Sequence, residues 1–397
     1  MGLPEQPRAA AETIRDVNRQ RVLEACHELR AASRANLEQS TGLSRGTVAS
    51  IVAELLEEGT LRHCNRADHS HQAQGKGRPP ERFTLASRAA LAISVDVGRR
   101  HVRVAVGDPR GTIVAERFTA AEQAPTARQG LQAAASLVTA VLADQKVAGR
   151  PVDVAVVGLP TLVTTDGRPV KRYADLDIAR ETGLAGLTQR VLVMNDSDLG
   201  ALGEAAFGAA RGLSDFIFFK LSTGVGVGLM IGGRLHRGSG GMAGDIGHFR
   251  LREEGEWCVC GNRGCLETLL SIERVSAAVR RTHPGFGAAE IRRFLVSADP
   301  EAQSLLYNAG WKAGRAIYGV INVLNPAAIV VGGTLGVAGE ALLTGLKDSI
   351  DRHCQPTAAA GLAVLRAQHG ERAEVLGGLA VALGLVGDGG LRATAVI

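Results

Sequence analysis

The residues best suited to chemistry lie between Gly244 and Glu267, in the run GDIGHFRLREEGEWCVCGNRGCLE, where His248 is followed by Cys258, Cys260 and Cys265. Imidazole and thiolate are the ligands that close a tetrahedron around Zn²⁺, and four protein ligands leave no open position for a catalytic water. The expected metal role is therefore structural. Unmetallated buried thiols are the alternative reading, but three cysteines within eight residues, interleaved with Gly and Asn turn formers, argue against it. Cys26, Cys64 and Cys354 are scattered singly, which is no disulfide framework and favours a reducing compartment.

Elements must position those ligands, and the chain divides at the polar stretch NRADHSHQAQGKGRPP, Asn65 to Pro80. Before it, Val22, Ala25, Cys26 and Leu29 recur at helical spacing, as do Val48, Ile51, Val52, Leu55 and Leu56, which predicts two amphipathic helices. Between them a shorter helical segment leads into Thr41-Gly42-Leu43 as a tight turn and Ser44 as an N-cap, a helix-turn-helix pattern. Gly59 ends the last helix, and LRHC and RFTL can then pair as a two-stranded wing. With its apolar stripe inward, that helix projects Ser44, Arg45, Thr47 and Ser50 from its N-terminal half, where a recognition helix meets base edges. Arg can bond guanine bidentately, and small hydroxyls permit close approach and phosphate contacts. A solvated helix face on a protein-binding winged helix is the alternative. Lys76 and Arg78 in GKGRPP can enter a narrow minor groove, or the segment is a stiff tether. Net charge does not choose between these readings, because residues 1–80 carry eleven Lys or Arg against ten Asp or Glu.

Beyond the polar stretch the pattern becomes α/β. LAISVDVGRRHVRVAVGD predicts a hairpin, VDVAVVGLP and RVLVMND predict buried strands of a mixed sheet, and FIFFKLSTGVGVGLMIGG predicts the opening hairpin of a second lobe. NPAAIVVGGTLG adds a strand and a glycine turn.

The zinc-spaced run, the chain from Leu91 onward and the N-terminal segment NRQRVLEACHELRAASRANLEQSTGLSRGTVASIVAELLEEGTL all resemble the ROK family, which takes its name from repressors, open reading frames and kinases. The resemblance implies a winged helix-turn-helix DNA-binding domain over residues 1–64, with its wing strand reaching about 85, and a polar linker and wing over 65–88. A two-lobed α/β actin-like ATPase fold follows, with its first lobe over 89–194, a second lobe with the zinc site over 195–375, and a C-terminal segment, 376–397, returning to the first lobe. It further implies a sugar pocket. Asn195-Asp196 matches the family's Asn-Asp pair, whose carboxylate is the general base in kinases and accepts a sugar hydrogen bond in repressors; strand-end capping is the alternative for Asp196. Glu267 matches the second sugar-binding acid. His248 would bind zinc through one ring nitrogen and donate to a sugar through the other.

Several positions depart from the family pattern. The kinases cradle ATP phosphates with a turn close to Asp-Ile-Gly-Gly-Thr, whereas this chain has Asp96-Val97-Gly98-Arg99-Arg100. The turn thereby loses a close backbone approach and a hydroxyl, so ATP is not expected as a cofactor. Asp245 stands where the family commonly has Glu, Thr161 where Gly is usual, and Asp198 where Asn is common. The pocket holds an unusual sugar or none. The reading that results is a DNA-binding transcriptional regulator, expected to be a catalytically inactive repressor of carbohydrate genes. Its expected partners are double-stranded operator DNA, a sugar or sugar-derivative effector, and a second copy as homodimer or dimer of dimers. A sugar kinase with an accessory winged helix and a ligand-independent regulator are the alternatives.

Composition agrees with this reading. The 397 residues are 45% hydrophobic with net charge +5, enough for two or three domains and too little charge to define a class. MGLPEQPRAAAETIRDVNRQ lacks the apolar core of a signal peptide and no later run has membrane-spanning length, so a cytoplasmic location and no membrane partner are expected.

Overall fold

The computed structural model describes residues 31–57, 60–64, 81–85, 90–109, 111–121, 123–386 and 394–395, with 15, 18, 19, 21–23, 25, 26 and 29. Val22, Leu23, Ala25 and Cys26 are helical and buried. Leu29, expected on the same stripe, is 42% exposed, because the chain bends away at Ala31. Strand β1 (Ala32–Ser33) runs into helix α1 (Arg34–Thr41), where Ser33 and Asn36 satisfy each other's backbone N–H in a capping box. Gly42 stops the helix with φ 68°, a left-handed conformation suited to glycine, and its N–H bonds back to Glu38. Ser44 Oγ accepts from the Thr47 N–H at 3.3 Å, and helix α2 (Arg45–Glu57) begins. Its Val48, Ile51, Val52 and Leu55 bury against Leu37, Leu61 and Phe83. Strands β2 (Leu61–His63) and β3 (Arg82–Leu85) pair antiparallel. β1 adds to the far edge of β3, so the wing sheet has three strands where sequence predicted two. Two residues are too few to carry a readable alternation. Gly59 and residues 65–80 lie outside the described residues.

The remaining chain builds two sheets. β4 (Leu91–Val97), β5 (His101–Gly107) and β6 (Ile113–Ala120) form an antiparallel meander. After helix α3 (Ala127–Leu142), β7 (Val152–Leu159) and β8 (Arg190–Asn195) add in parallel on the other side of β4. Helix α4 (Asp196–Phe207) leads to β9 (Phe216–Leu221), β10 (Val225–Ile231) and β11 (Arg234–Leu235), then to the short helix α5 (Leu266–Leu269) and to α6 (Ile272–Thr282) and α7 (Pro300–Leu324). β12 (Ala328–Gly332), α8 (Glu340–His353), β13 (Ala363–Arg366), α9 (Ala373–Ala382) and β14 (Thr394–Ala395) follow, with shorter helices between some of these elements. The sheets run β14-β8-β7-β4-β5-β6 and β11-β10-β9-β12-β13. All four strand runs expected between Leu91 and Gly233, and the one at Ala328, fall on these strands.

The central strands of each sheet are buried on both faces, which is why they read as nearly continuous apolar runs. α3 covers the outer face of the first sheet, and α7 and α8 cover that of the second. Between the sheets, α9 lies on β4 and β7 while α4 lies on β9 and β10. Val156 and Met194 of one sheet and Phe218 and Val330 of the other share that middle core. This is the two-lobed actin-like architecture. The two middle helices touch backbone to backbone: a Cβ on Gly203 would fall 2.1 Å from Ala373 O, and one on Gly377 1.8 Å from Leu199 O. Among the described residues, no helix is long and apolar enough to cross a membrane.

Gly→Ala inside a helix ordinarily stabilises by up to about 1 kcal/mol. Gly377→Ala is expected to do the reverse, costing about 1–3 kcal/mol or more through overpacking. Thermal unfolding of the two proteins side by side reads the sign directly.

Candidate metal centre and effector cleft

A hairpin-like loop delivers the four predicted metal ligands to one point. The turn at Ile246–His248 follows β11, and single bridges Arg250↔Cys265 and Trp257↔Arg263 fold the loop on itself. Cys258 N–H donates to Asn262 O at 2.7 Å and Gly261 N–H to Cys258 O at 3.0 Å, making the tight turn that brings Cys260 back. His248 Nδ1 and Cys258 Sγ are 3.3 Å apart and Cys260 and Cys265 Sγ 3.6 Å apart, and all four ligand atoms lie within 4.8 Å of one another. Tetrahedral zinc with Zn–S bonds of about 2.3 Å sets its sulfurs about 3.8 Å apart, so the donor set fits such an ion. Burial pushes the Cys265 thiol up to about 12, and a coordinated cation would reverse that by deprotonating it outright. His248 Nε2 points away from the sulfurs, 3.9 Å from Asp245 Oδ1.

Directly after Cys265, helix α5 carries Glu267 into the space between the lobes. Its carboxylate accepts both terminal nitrogens of Arg99, at 2.9 and 3.2 Å, and the Val225 N–H at 3.3 Å. Arg99 sits in the β4–β5 turn of the other sheet, 168 residues away. Burial pushes its guanidinium down, but Glu267 and then Asp196 outweigh that and hold it above the ordinary arginine range. The buried Tyr173 ring feels the same group of charges.

Asp196 opens α4, and its Oδ2 accepts from Lys220 Nζ at 2.9 Å. The same ammonium reaches Glu374 Oε1 on α9 at 2.8 Å. Burial pushes Lys220 down, but Asp196, Glu374 and Asp96 overcome it and keep the amine charged; burial likewise pushes Glu374 up, only partly countered by Lys220. Capping is done by the neighbour: Asn195 Oδ1 accepts from Ser197 N–H at 2.8 Å and Asp198 N–H at 3.3 Å, and its Nδ2 donates to Thr161 O at 2.9 Å. Asp198 is paired with Arg237 at 3.3 Å, and burial still pushes it up to about 7.

The expected phosphate turn is filled from within. His101 Nε2 lies 2.8 Å from Asp96 Oδ2, and a Cβ on Gly98 would meet the His101 ring at 2.1 Å. Burial opposes charge on both groups, yet each holds the other charged, with Asp96 below and His101 above its ordinary value. In the winged helix, Ser44, Arg45 and Ser50 are exposed and Thr47 is half-buried. The Ser44 and Thr47 hydroxyls are 2.8 Å apart. Lys76 and Arg78 lie outside the described residues.

Sequence reasoning missed Lys220, Glu374 and His101, and read Arg99 only as a departure in the phosphate turn, not as a partner of Glu267. One signal was available: Lys220 is the lone charge in FIFFKL, a strand buried at every position, and such a charge needs buried partners.

The sequence profile of the ROK family matches residues 92–384. The chain belongs to the ROK family. It is 24% identical over 376 residues to the xylose repressor of Bacillus subtilis (strain 168), covering 92% of this chain and 94% of the repressor. Among solved structures it resembles a ROK family transcriptional regulator described as a homolog of the E. coli MLC protein, with TM-score 0.73, 23% identity, and 95% and 98% of the two chains covered. A ROK family glucokinase from Streptomyces griseus, solved with glucose and AMPPNP, matches with TM-score 0.63 and 26% identity over 75% of this chain and 99% of its own. A match over 92% of the chain cannot omit the winged helix. The glucokinase match leaves a quarter of the chain uncovered.

Cys260→Ser should remove one ligand from the candidate metal centre. Elemental analysis is expected to give about one zinc per wild-type chain and substoichiometric zinc in the variant, with a lowered melting temperature. Full metal and an unchanged melting curve in the variant would refute the ligand set.

Proposed function

We propose that this chain is a DNA-binding transcriptional repressor whose ROK core senses a sugar or sugar derivative and does not phosphorylate it. The observation that carries this reading is the likeness to repressors along nearly the whole chain, winged helix included. In it, α2 is the recognition helix, with Arg45 and Ser50 toward base edges and Ser44 and Thr47 joined at its cap and near the backbone. Lys76 and Arg78 contribute minor-groove contacts. The domain limits at 64, 88, 194 and 375 follow the same reading.

Asp196, Glu267, Asp245 and His248 Nε2 supply acceptors and a donor for sugar hydroxyls, and Asn195 holds the segment that presents them. Zinc on His248, Cys258, Cys260 and Cys265 has a structural role: it fixes the imidazole tautomer and the path into Glu267. Three features weigh against phosphoryl transfer, which depends on positioning a nucleotide and its metal. His101 fills the phosphate turn, Arg99 is engaged by Glu267, and Lys220 takes one oxygen of Asp196. Paired winged helices of a homodimer, or a dimer of dimers, would read a near-palindromic site.

A coupled ADP-release assay with D-glucose, D-xylose and N-acetyl-D-glucosamine should give no turnover above background; rates near the roughly 1–100 s⁻¹ usual for kinases would establish the kinase instead. Selection of duplexes from a random library by the full chain should yield an inverted repeat. Arg45→Ala should weaken that site by about 1–3 kcal/mol while leaving random DNA nearly unaffected; equal loss on both would mark a phosphate contact.

A further inference from the structure

We infer that Arg99 is a built-in occupant of the effector cleft: its bidentate pair with Glu267 is a latch between the lobes that an incoming sugar must displace. The inference rests on the proposed role of Glu267, but the latch itself stands on geometry. Arg99 belongs to the β4–β5 turn of the first sheet, and Glu267 follows the metal loop and is bonded by Val225 N–H of the second. The pair is therefore a direct polar tie across the cleft. The two side chains are 30% and 13% exposed, so solvent screens them only partly. Gly224 backs the contact: a Cβ there would lie 3.2 Å from Glu267 Oε2 and 3.4 Å from Arg99 Cζ. A second, looser pair runs beside it, Arg100 to Glu273 at 3.8 Å, from the same turn to α6.

A carboxylate offers about four acceptor sites. Arg99 and Val225 take three on Glu267, two of them on Oε2, so a sugar that needs both oxygens must displace a donor from Oε2, and the side-chain guanidinium yields more readily than the Val225 N–H, which the β9–β10 hairpin holds in place. Once displaced, the guanidinium loses its two-point hold on the far side of the cleft. Effector binding is thereby coupled to release of the inter-lobe tie. Coupling requires this kind of differential contact between two states. A lysine in place of Arg99 would keep the charge and lose the two-point grip.

Amide hydrogen exchange on the full chain tests the latch. Arg99→Gln should speed exchange several-fold in segments 98–101, 222–226 and 266–270, with 31–57 unchanged; Arg99→Lys should fall between variant and wild type. The swapped pair, Arg99→Glu with Glu267→Arg, should restore slow exchange, which a merely structural role for either side chain would not do. Raising salt on the wild type should also speed those segments, and this arm needs no variant to fold. Unchanged exchange in Arg99→Gln and in high salt, or failure of the swap in a folded protein, would overturn the latch. Calorimetry with D-xylose and D-glucose separates the effector reading from it. If a sugar binds, Arg99→Gln should bind it several-fold more tightly, and equal or weaker binding would count against displacement. If neither sugar binds any variant, the sugar-sensing role loses support while the exchange result still decides whether the latch exists.

Discussion

The ammonium of Lys220 is the point on which the middle of this molecule depends. It is buried, and it draws together Asp196 at the start of α4 and Glu374 at the start of α9, while β9 carries it from the second sheet. Removing one partner from such a group leaves an uncompensated buried charge and typically costs about 3–5 kcal/mol. The charge thus fixes the register in which the two middle helices meet, and the glycine contacts between them require that register. A network made of one cation and two acids tolerates no sliding, whereas an apolar interface of the same size would admit several packings.

The cleft is assembled outward from that point. Asp196 reaches it because Asn195 caps α4 and ties the segment to Thr161, so the last residue of β8 and the first of α4 divide the work of capping and presentation. On the opposite side, the cysteine-rich loop ends at Cys265 and hands the chain to α5 two residues before Glu267. Closed by a metal, that loop would be a small rigid body and would fix the path of the chain into Glu267. The third wall, the β4–β5 turn, contributes the cations Arg99 and His101. The result is a cleft in which each of Asp96, Asp196 and Glu267 already has a cation of the chain's own. Internal counter-ions keep such a cleft stable with nothing bound, which suits a proposed sensor and disfavours a nucleotide site.

The winged helix obeys simpler rules. Its core is a single cluster of aliphatic side chains and Phe83, and the exposed start of α2 follows once Val48, Ile51, Val52 and Leu55 turn inward. Ser44 serves as the helix cap and stands on the exposed side at once, which is why the same residue figured in both the cap and the contact expectations.

Much was legible in the amino-acid sequence because it is local. Period-3.6 patterns set the helices, short apolar runs set the strands, Gly42 set the turn, and ligand types at short spacing set the metal loop. Family likeness, carried by those local motifs, supplied the two-lobed frame. What only the tertiary structure decided is which charge meets which. Arg99 and Glu267 are 168 residues apart and Lys220 and Asp196 24 apart, and no periodicity encodes such meetings. They arise when separate strands and helices converge on one low-dielectric space, where an unpaired charge is too costly to leave and each group must take the partner that the fold brings within reach.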